Sequence, residues 1–155
     1  MTRVSSQEID VFLPLVVSIA TILTTIVIHA LALVAIVHFV RHERMRGRAG
    51  VAFWRDVPIV AAAMLLALIA HLVEITIWAL VFMFCGEFTQ LAAAFYHSAV
   101  NCTSLGYGDI VMSASWRLLG PLEAADGLLM FGVSTAMIFA VIERLVRTRF
   151  RDLDD

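Results

Sequence analysis

Three apolar runs constrain this chain more than any other feature. Residues 11–40, 57–84 and 118–146 each exceed the about 20 residues that a helix needs to cross the hydrocarbon core of a bilayer. A soluble globule covers itself with roughly a quarter charged residues. Here only 15% are charged, 61% are hydrophobic and the mean hydropathy is +0.92. Lipid must therefore meet the side chains that water cannot, and the expectation is a single all-α membrane domain over residues 1–155. Pro14, Pro58 and Pro121 each fall near the start of a run, where a first helical turn tolerates proline. The first run lacks a basic leader and a small-residue cleavage site, so it is expected to be a retained helix. Cys85 and Cys102 form neither a metal-ligand spacing nor a disulfide framework and are expected as buried free thiols.

Between the second and third runs lies TQLAAAFYHSAVNCTS, residues 89–104, helix-forming but too short to cross the bilayer. It leads into the polar, glycine-bearing stretch SLGYGD, residues 104–109. Irregular backbone at membrane depth is tolerated only where protein buries it or water lies beside it. A re-entrant loop is the arrangement that satisfies this.

Arginine supplies all 11 basic residues, and its placement sets an orientation. Arg41, Arg44, Arg46, Arg48 and Arg55 lie between the first two runs, and the C-terminal segment ERLVRTRFRDLDD carries Arg144, Arg147, Arg149 and Arg151. Three crossings put both clusters on one side, and the positive-inside rule makes that side cytoplasmic. The N-terminus and the glycine-bearing loop are then expected outside, in a multi-pass protein of the cell (inner) membrane. Both arginine clusters suit contact with anionic lipid, and nothing in the chain suggests a nucleic-acid partner. Val51, Phe53 and Trp54, beside Arg48 and Arg55, could form a short interfacial helix or an ordinary charged loop.

The heptapeptide TSLGYGD, Thr103 to Asp109, resembles the filter of potassium channels, T-T-V-G-Y-G-D. The resemblance extends over roughly residues 57–146: an outer helix, a pore helix, the filter, and DGLLMFGVSTA as an inner helix. The chain looks like a small bacterial two-span potassium channel with one extra N-terminal helix. The resemblance implies three transmembrane helices (11–40, 57–84, 118–146), a pore helix over 89–104, a filter over 104–109 and a short cytoplasmic tail over 147–155. It also implies a homotetramer conducting K+ passively, because one chain supplies one strand and a closed ring needs four. K+ would be held by backbone carbonyls of Ser104, Leu105, Gly106, Tyr107 and Gly108 in place of its hydration shell. Glycine reaches φ > 0 without steric cost, which suits Gly106 and Gly108 to a backbone of inward carbonyls. Tyr107 would brace the loop against its pore helix, whose C-terminal end favours a cation.

Thr103, Asp109, His97 and Tyr96 are expected to support the filter, with His97 in reach of Tyr107 or Asp109. Gly127 and Gly132 match the family's inner-helix glycines and imply a gating hinge. The sequence departs from the family at Ser104 for threonine, Leu105 for valine, and Val100 where some members have a glutamate. His97 and Tyr96 stand where many members carry two tryptophans.

Charges within spans require partners or water. His71 and Glu74 are i and i+3, as are Glu123 and Asp126, so each pair shares a helix face. The four are expected as an interhelical polar network; a metal site built from both pairs is the other reading. Asp126 could also face the aqueous cavity, and His29 and His38 are expected as simple polar contacts. K+ at the filter is the only ion the channel reading requires, and no other cofactor is expected. No helix carries the arginine periodicity of a voltage sensor, and residues 147–155 are too few for a ligand-binding domain. The rival functions are an accessory, non-conducting membrane subunit with a pore-like fold, and a metal-binding membrane protein using the HxxE and ExxD pairs. An enzyme is not expected.

Overall fold

A computed structural model describes residues 11–50 and 52–151, and among them the secondary structure is entirely helical. Four helices follow in order: α1 (Phe12–Met45), α2 (Phe53–Phe84), α3 (Leu91–Cys102) and α4 (Leu119–Arg151). α1, α2 and α4 are long and apolar enough to cross a membrane, and α3 is the short helix between the second and third. All three long helices outrun the about 30 Å hydrocarbon core, since 30 residues already span about 45 Å.

Their extra turns differ from the sequence reading at the ends. The apolar run of α1 stops at Val40, but the helix continues to Met45 and carries Arg41 and Arg44 with it. Arginine is a good helix former, and leaving lipid does not by itself end a helix. α2 begins at Phe53, so Pro58 sits in its second turn and not its first. The only helical bond lost is the one to the Trp54 carbonyl, in an exposed first turn where water can replace it. Phe53 and Trp54 are the exposed opening residues of α2 and not a separate interfacial helix. Val51 and residues 152–155 of the tail lie outside the described residues.

The contacts gather into two compact units. Among the described residues, one comprises 11–24 together with Ile75–Gly127. Its apolar core is Trp78, Phe82, Met112 and Leu119, joined by Val17, Ile22, Phe88 and Trp116. The start of α1 carries hydroxyls without an unpaired donor: Ser18, Thr21 and Thr24 bond back to the carbonyls of Pro14, Val17 and Ala20 at 2.8–2.9 Å.

The second unit comprises the described residues of Thr25–Glu74 and of 128–151. Ile36 and Val40 of α1 pack there with Ile59, Ala63 and Ala67 of α2 and Val141 and Leu145 of α4. The alanines let helix backbones approach closely, the usual device where lipid gives no hydrophobic drive to association. Asp56, in the first turn of α2, accepts the Gly50 N–H at 2.7 Å on one oxygen and the Arg149 guanidinium on the other. Gly50 has φ +79°, and a Cβ there would stand 2.9 Å from Thr148 Cβ, so both its backbone and its space exclude a side chain.

Candidate functional site

The glycine-bearing loop leaves α3 through a defined helix terminus. Thr103 is the C-cap, and its hydroxyl bonds to the Ala99 carbonyl at 2.7 Å. Ser104 N–H then bonds to the Asn101 carbonyl at 2.8 Å, and Leu105 N–H to the Val100 carbonyl at 3.0 Å. This pair of bonds is the Schellman pattern, which needs a left-handed residue just past the cap. That residue is Ser104, at φ 58°, the sole non-glycine with positive φ among the described residues. Gly106 (φ 57°) and Gly108 (φ 72°) repeat the left-handed conformation, while Leu105 and Tyr107 between them do not. Handedness therefore alternates along 104–108. Such alternation turns successive peptide planes so that like groups face the same side.

The strand so formed is bare within its own chain. Every residue from Thr103 to Asp109 is exposed, Leu105 by 58% and Tyr107 by 66%. The expectation that Tyr107 braces the loop against its own pore helix is thus not met. A side chain this open touches too little of its own chain to brace anything.

Support comes from neighbouring residues. Tyr96 O–H donates to Asp109 Oδ2 at 2.8 Å, tying the end of the loop to the side of α3. The bond to Asp109, and the repulsion between that carboxylate and a phenolate, raise the Tyr96 pKa. Tyr96, and not His97, reaches Asp109, because His97 faces the core between Phe82 and Phe88 at centroid distances of 5.4 and 5.2 Å. Its Nε2 lies 3.1 Å from the Asn101 side-chain nitrogen. The amide donates there, so the neutral ring carries its hydrogen on Nδ1. Burial pushes the His97 imidazole below its ordinary range, with Asp109 and Glu87 pulling weakly the other way. A cavity of about 180 Å³ runs behind Gly106 and Gly108, bounded by His97, Asn101, Arg117 and Gly120. Glu87 pins the chain beyond the loop, accepting the Ser113 N–H at 2.7 Å and its hydroxyl at 2.6 Å.

α3 is held from behind by polar groups that are fully buried. Ser98 O–H is 2.8 Å from the Ile75 carbonyl and also contacts a Glu123 carboxylate oxygen. Asp126 accepts the Trp78 indole N–H at 3.0 Å, and its burial removes it from any role as an exposed cavity charge. Gly127 lets α4 approach the end of α3. A Cβ there would stand 2.9 Å from both the carbonyl carbon and Sγ of Cys102, and closer still to its carbonyl oxygen. Close packing thus accounts for Gly127 without a hinge. A Cβ on Gly132, by contrast, would meet nothing within 4 Å. Neither cysteine is in a disulfide; Cys102 is buried as expected, whereas Cys85 is only partly buried.

The two pairs of intramembrane residues belong to different compact units and have their own contacts there. Glu123 and Asp126 take the partners just given. His71 and Glu74 belong to a separate buried ring with His29 of α1 and Ser134 of α4. His29 is a full member of the ring and not an incidental polar contact. The clue available in the sequence was that an intramembrane histidine needs a partner, but not which one. His38 is exposed on α1.

Three membrane-length helices with a short helix and a looped strand between the last two define a multi-pass helical membrane protein of pore-loop design. Residues 70–144, from within α2 through the loop and into α4, match the ion-channel family Ion_trans_2. Over that stretch, a little under half of the chain, the sequence is similar to ion channels. No curated protein matches the chain. No solved structure matches it either.

Proposed function

We propose that the chain is one subunit of a potassium-selective homotetrameric channel, with K+ passing through a filter formed by residues 104–108. The observation that carries this reading is the left-handed φ at Ser104, Gly106 and Gly108 alone in the strand. A cation stripped of water needs several carbonyl oxygens in its place, stacked along one line and repeated around it. Alternating handedness serves the stacking, and four copies around an axis serve the repetition. The bare Leu105 and Tyr107 support the same assembly, since their apolar surface is left for neighbouring copies to cover. The arginines that end α1 and α4 favour a cytoplasmic position for those ends, with the N-terminus and the filter mouth outside.

The test is flux from liposomes holding purified protein, with K+ or Na+ as the permeant ion. A clear preference for K+ is expected, and Gly106→Ala and Gly108→Ala should each abolish it. Apart from its chain neighbours, nothing in the chain lies within 4 Å of a Cβ at either position, so within one subunit the effect comes from the backbone. A non-glycine residue held left-handed costs about 1–2 kcal/mol. Equal K+ and Na+ flux in the wild type, or undiminished selectivity in both variants, would overturn the proposal.

A further inference from the structure

The ring around Glu74 has a donor count that its own groups do not meet. His29 Nδ1 lies 2.8 Å from Glu74 Oε1, and His71 Nδ1 lies 3.1 Å from Oε2. On the far side of both imidazoles, Nε2 of His29 is 3.1 Å and Nε2 of His71 is 3.2 Å from Ser134 Oγ. All four side chains are buried, with relative exposures of 2% for His29, 4% for His71, 3% for Glu74 and 7% for Ser134. Four such contacts need four hydrogens. Two neutral imidazoles carry one each, the hydroxyl carries one, and a carboxylate carries none. At least one contact is left with lone pair facing lone pair, in a buried place.

One arrangement that satisfies the far side puts both imidazole hydrogens on Nε2, leaving both contacts to Glu74 without a hydrogen. Ser134 Oγ then accepts both through its two lone pairs. What remains is two Nδ1 lone pairs and a carboxylate, converging on a common point and lacking an electrophile.

From this geometry we infer that His29, His71 and Glu74 form a binding site for a zinc-class divalent metal, a site independent of ion conduction through the filter. One ligand atom from each of the three lies within 4.8 Å of the other two. Tetrahedral ligands about 2.0–2.2 Å from zinc stand roughly 3.4 Å apart, a spacing near that of His29 Nδ1 from one Glu74 oxygen (2.8 Å) and of His71 Nδ1 from the other (3.1 Å). Imidazole with carboxylate suits zinc and its neighbours, whereas magnesium and calcium take oxygen. A carboxylate and a histidine at i and i+3 on one helix, completed from a facing helix, is how bundles build such sites. Ser134 supplies the outer support that orients metal-bound histidines. Phe131, stacked on the His71 ring at 4.2 Å, fixes its plane. Three ligands leave a fourth position for water.

The experiment titrates Zn2+, and Co2+ as its spectroscopic stand-in, into the full-length protein in detergent after treatment with a chelator. His38 and His42, exposed at i and i+4 on α1, could bind metal adventitiously. The working background is therefore His38→Gln with His42→Gln. One Co2+ per chain is expected, with the intense visible bands of low coordination. Affinity should fall by at least about 10-fold in His29→Gln or Glu74→Gln, and by about 10-fold in Ser134→Ala. Absence of stoichiometric binding in the background protein, or undiminished binding in Glu74→Gln, overturns the inference. Should Glu74→Gln fail to fold, the background protein's own Co2+ spectrum decides, a weak octahedral signature counting against the site. A ring that binds no metal, but whose thermal stability follows pH only while Glu74 is present, holds a proton instead, and the inference falls.

Discussion

Replacing Gly127 with alanine separates a packing role from a hinge role. Carbon atoms in good contact stand about 3.5–4.0 Å apart, whereas the new Cβ would stand 2.9 Å from the Cys102 carbonyl carbon and from its Sγ. α4 and the end of α3 must therefore part by at least about 0.6 Å. Overpacking of this kind costs about 1–3 kcal/mol, and exchanging glycine for alanine in a helix returns about 1 kcal/mol. The net expectation is a loss of up to about 2 kcal/mol, a factor of up to roughly 30 in the folding equilibrium. Cys102 is two residues from Ser104, so the displacement acts directly on the loop's exit from α3. Denaturation of the protein in detergent, paired with K+ and Na+ flux, reads both consequences. Gly127→Ala should lower stability and blur selectivity together, while Gly132→Ala, with open space around it, should leave stability intact or raise it. Wild-type stability and an unchanged flux ratio in Gly127→Ala, with altered channel opening only, would refute the packing argument and restore the hinge.

Two further outcomes are expected. Ser104→Gly should raise stability by roughly 1 kcal/mol or less while keeping K+ flux, because the left-handed strain goes and the carbonyl stays; a destabilised variant would show that the Ser104 side chain, and not its backbone, matters. For His97, the depressed pKa means that the folded state resists a proton the unfolded chain accepts. Its contribution to stability is full above the ordinary histidine value of about 6.5 and is lost as pH falls from there toward the lower folded value. A protonated Nε2 also cannot accept from Asn101. Thermal unfolding from mildly alkaline to acidic pH should therefore show a decline that His97→Gln lacks, and identical profiles would assign the decline to another group.

Much of the fold was legible because lipid imposes so coarse a rule: an apolar run of sufficient length becomes a spanning helix. The rule says nothing of where such a helix stops, which is why α1 runs past Val40 and α2 starts before Val57. Glycine at 106 and 108 announced a left-handed backbone, since few other residues go there readily. Ser104 could not announce it, because its φ is dictated by the hydrogen bonds that end α3 and not by its side chain. The grouping of polar residues was the least legible part. Helical spacing pairs His71 with Glu74 and Glu123 with Asp126, but it cannot say that His29, 45 positions before Glu74, closes the first pair into a ring. Nor could spacing show that Glu87 would hold Ser113, 26 positions on. Such contacts are decided by which helix faces meet.

Asp56 carries a mechanical consequence. One of its oxygens holds the backbone just before α2, and the other holds Arg149 in the last turns of α4. A load applied to that end of α4 is therefore shared at once with the first turn of α2, as through a yoke. Any swing of one helix end must drag the other along or snap an ion pair whose carboxylate is 8% exposed. With Thr148 seated where a Gly50 side chain would be, the joint has little slack. The two ends are geared together.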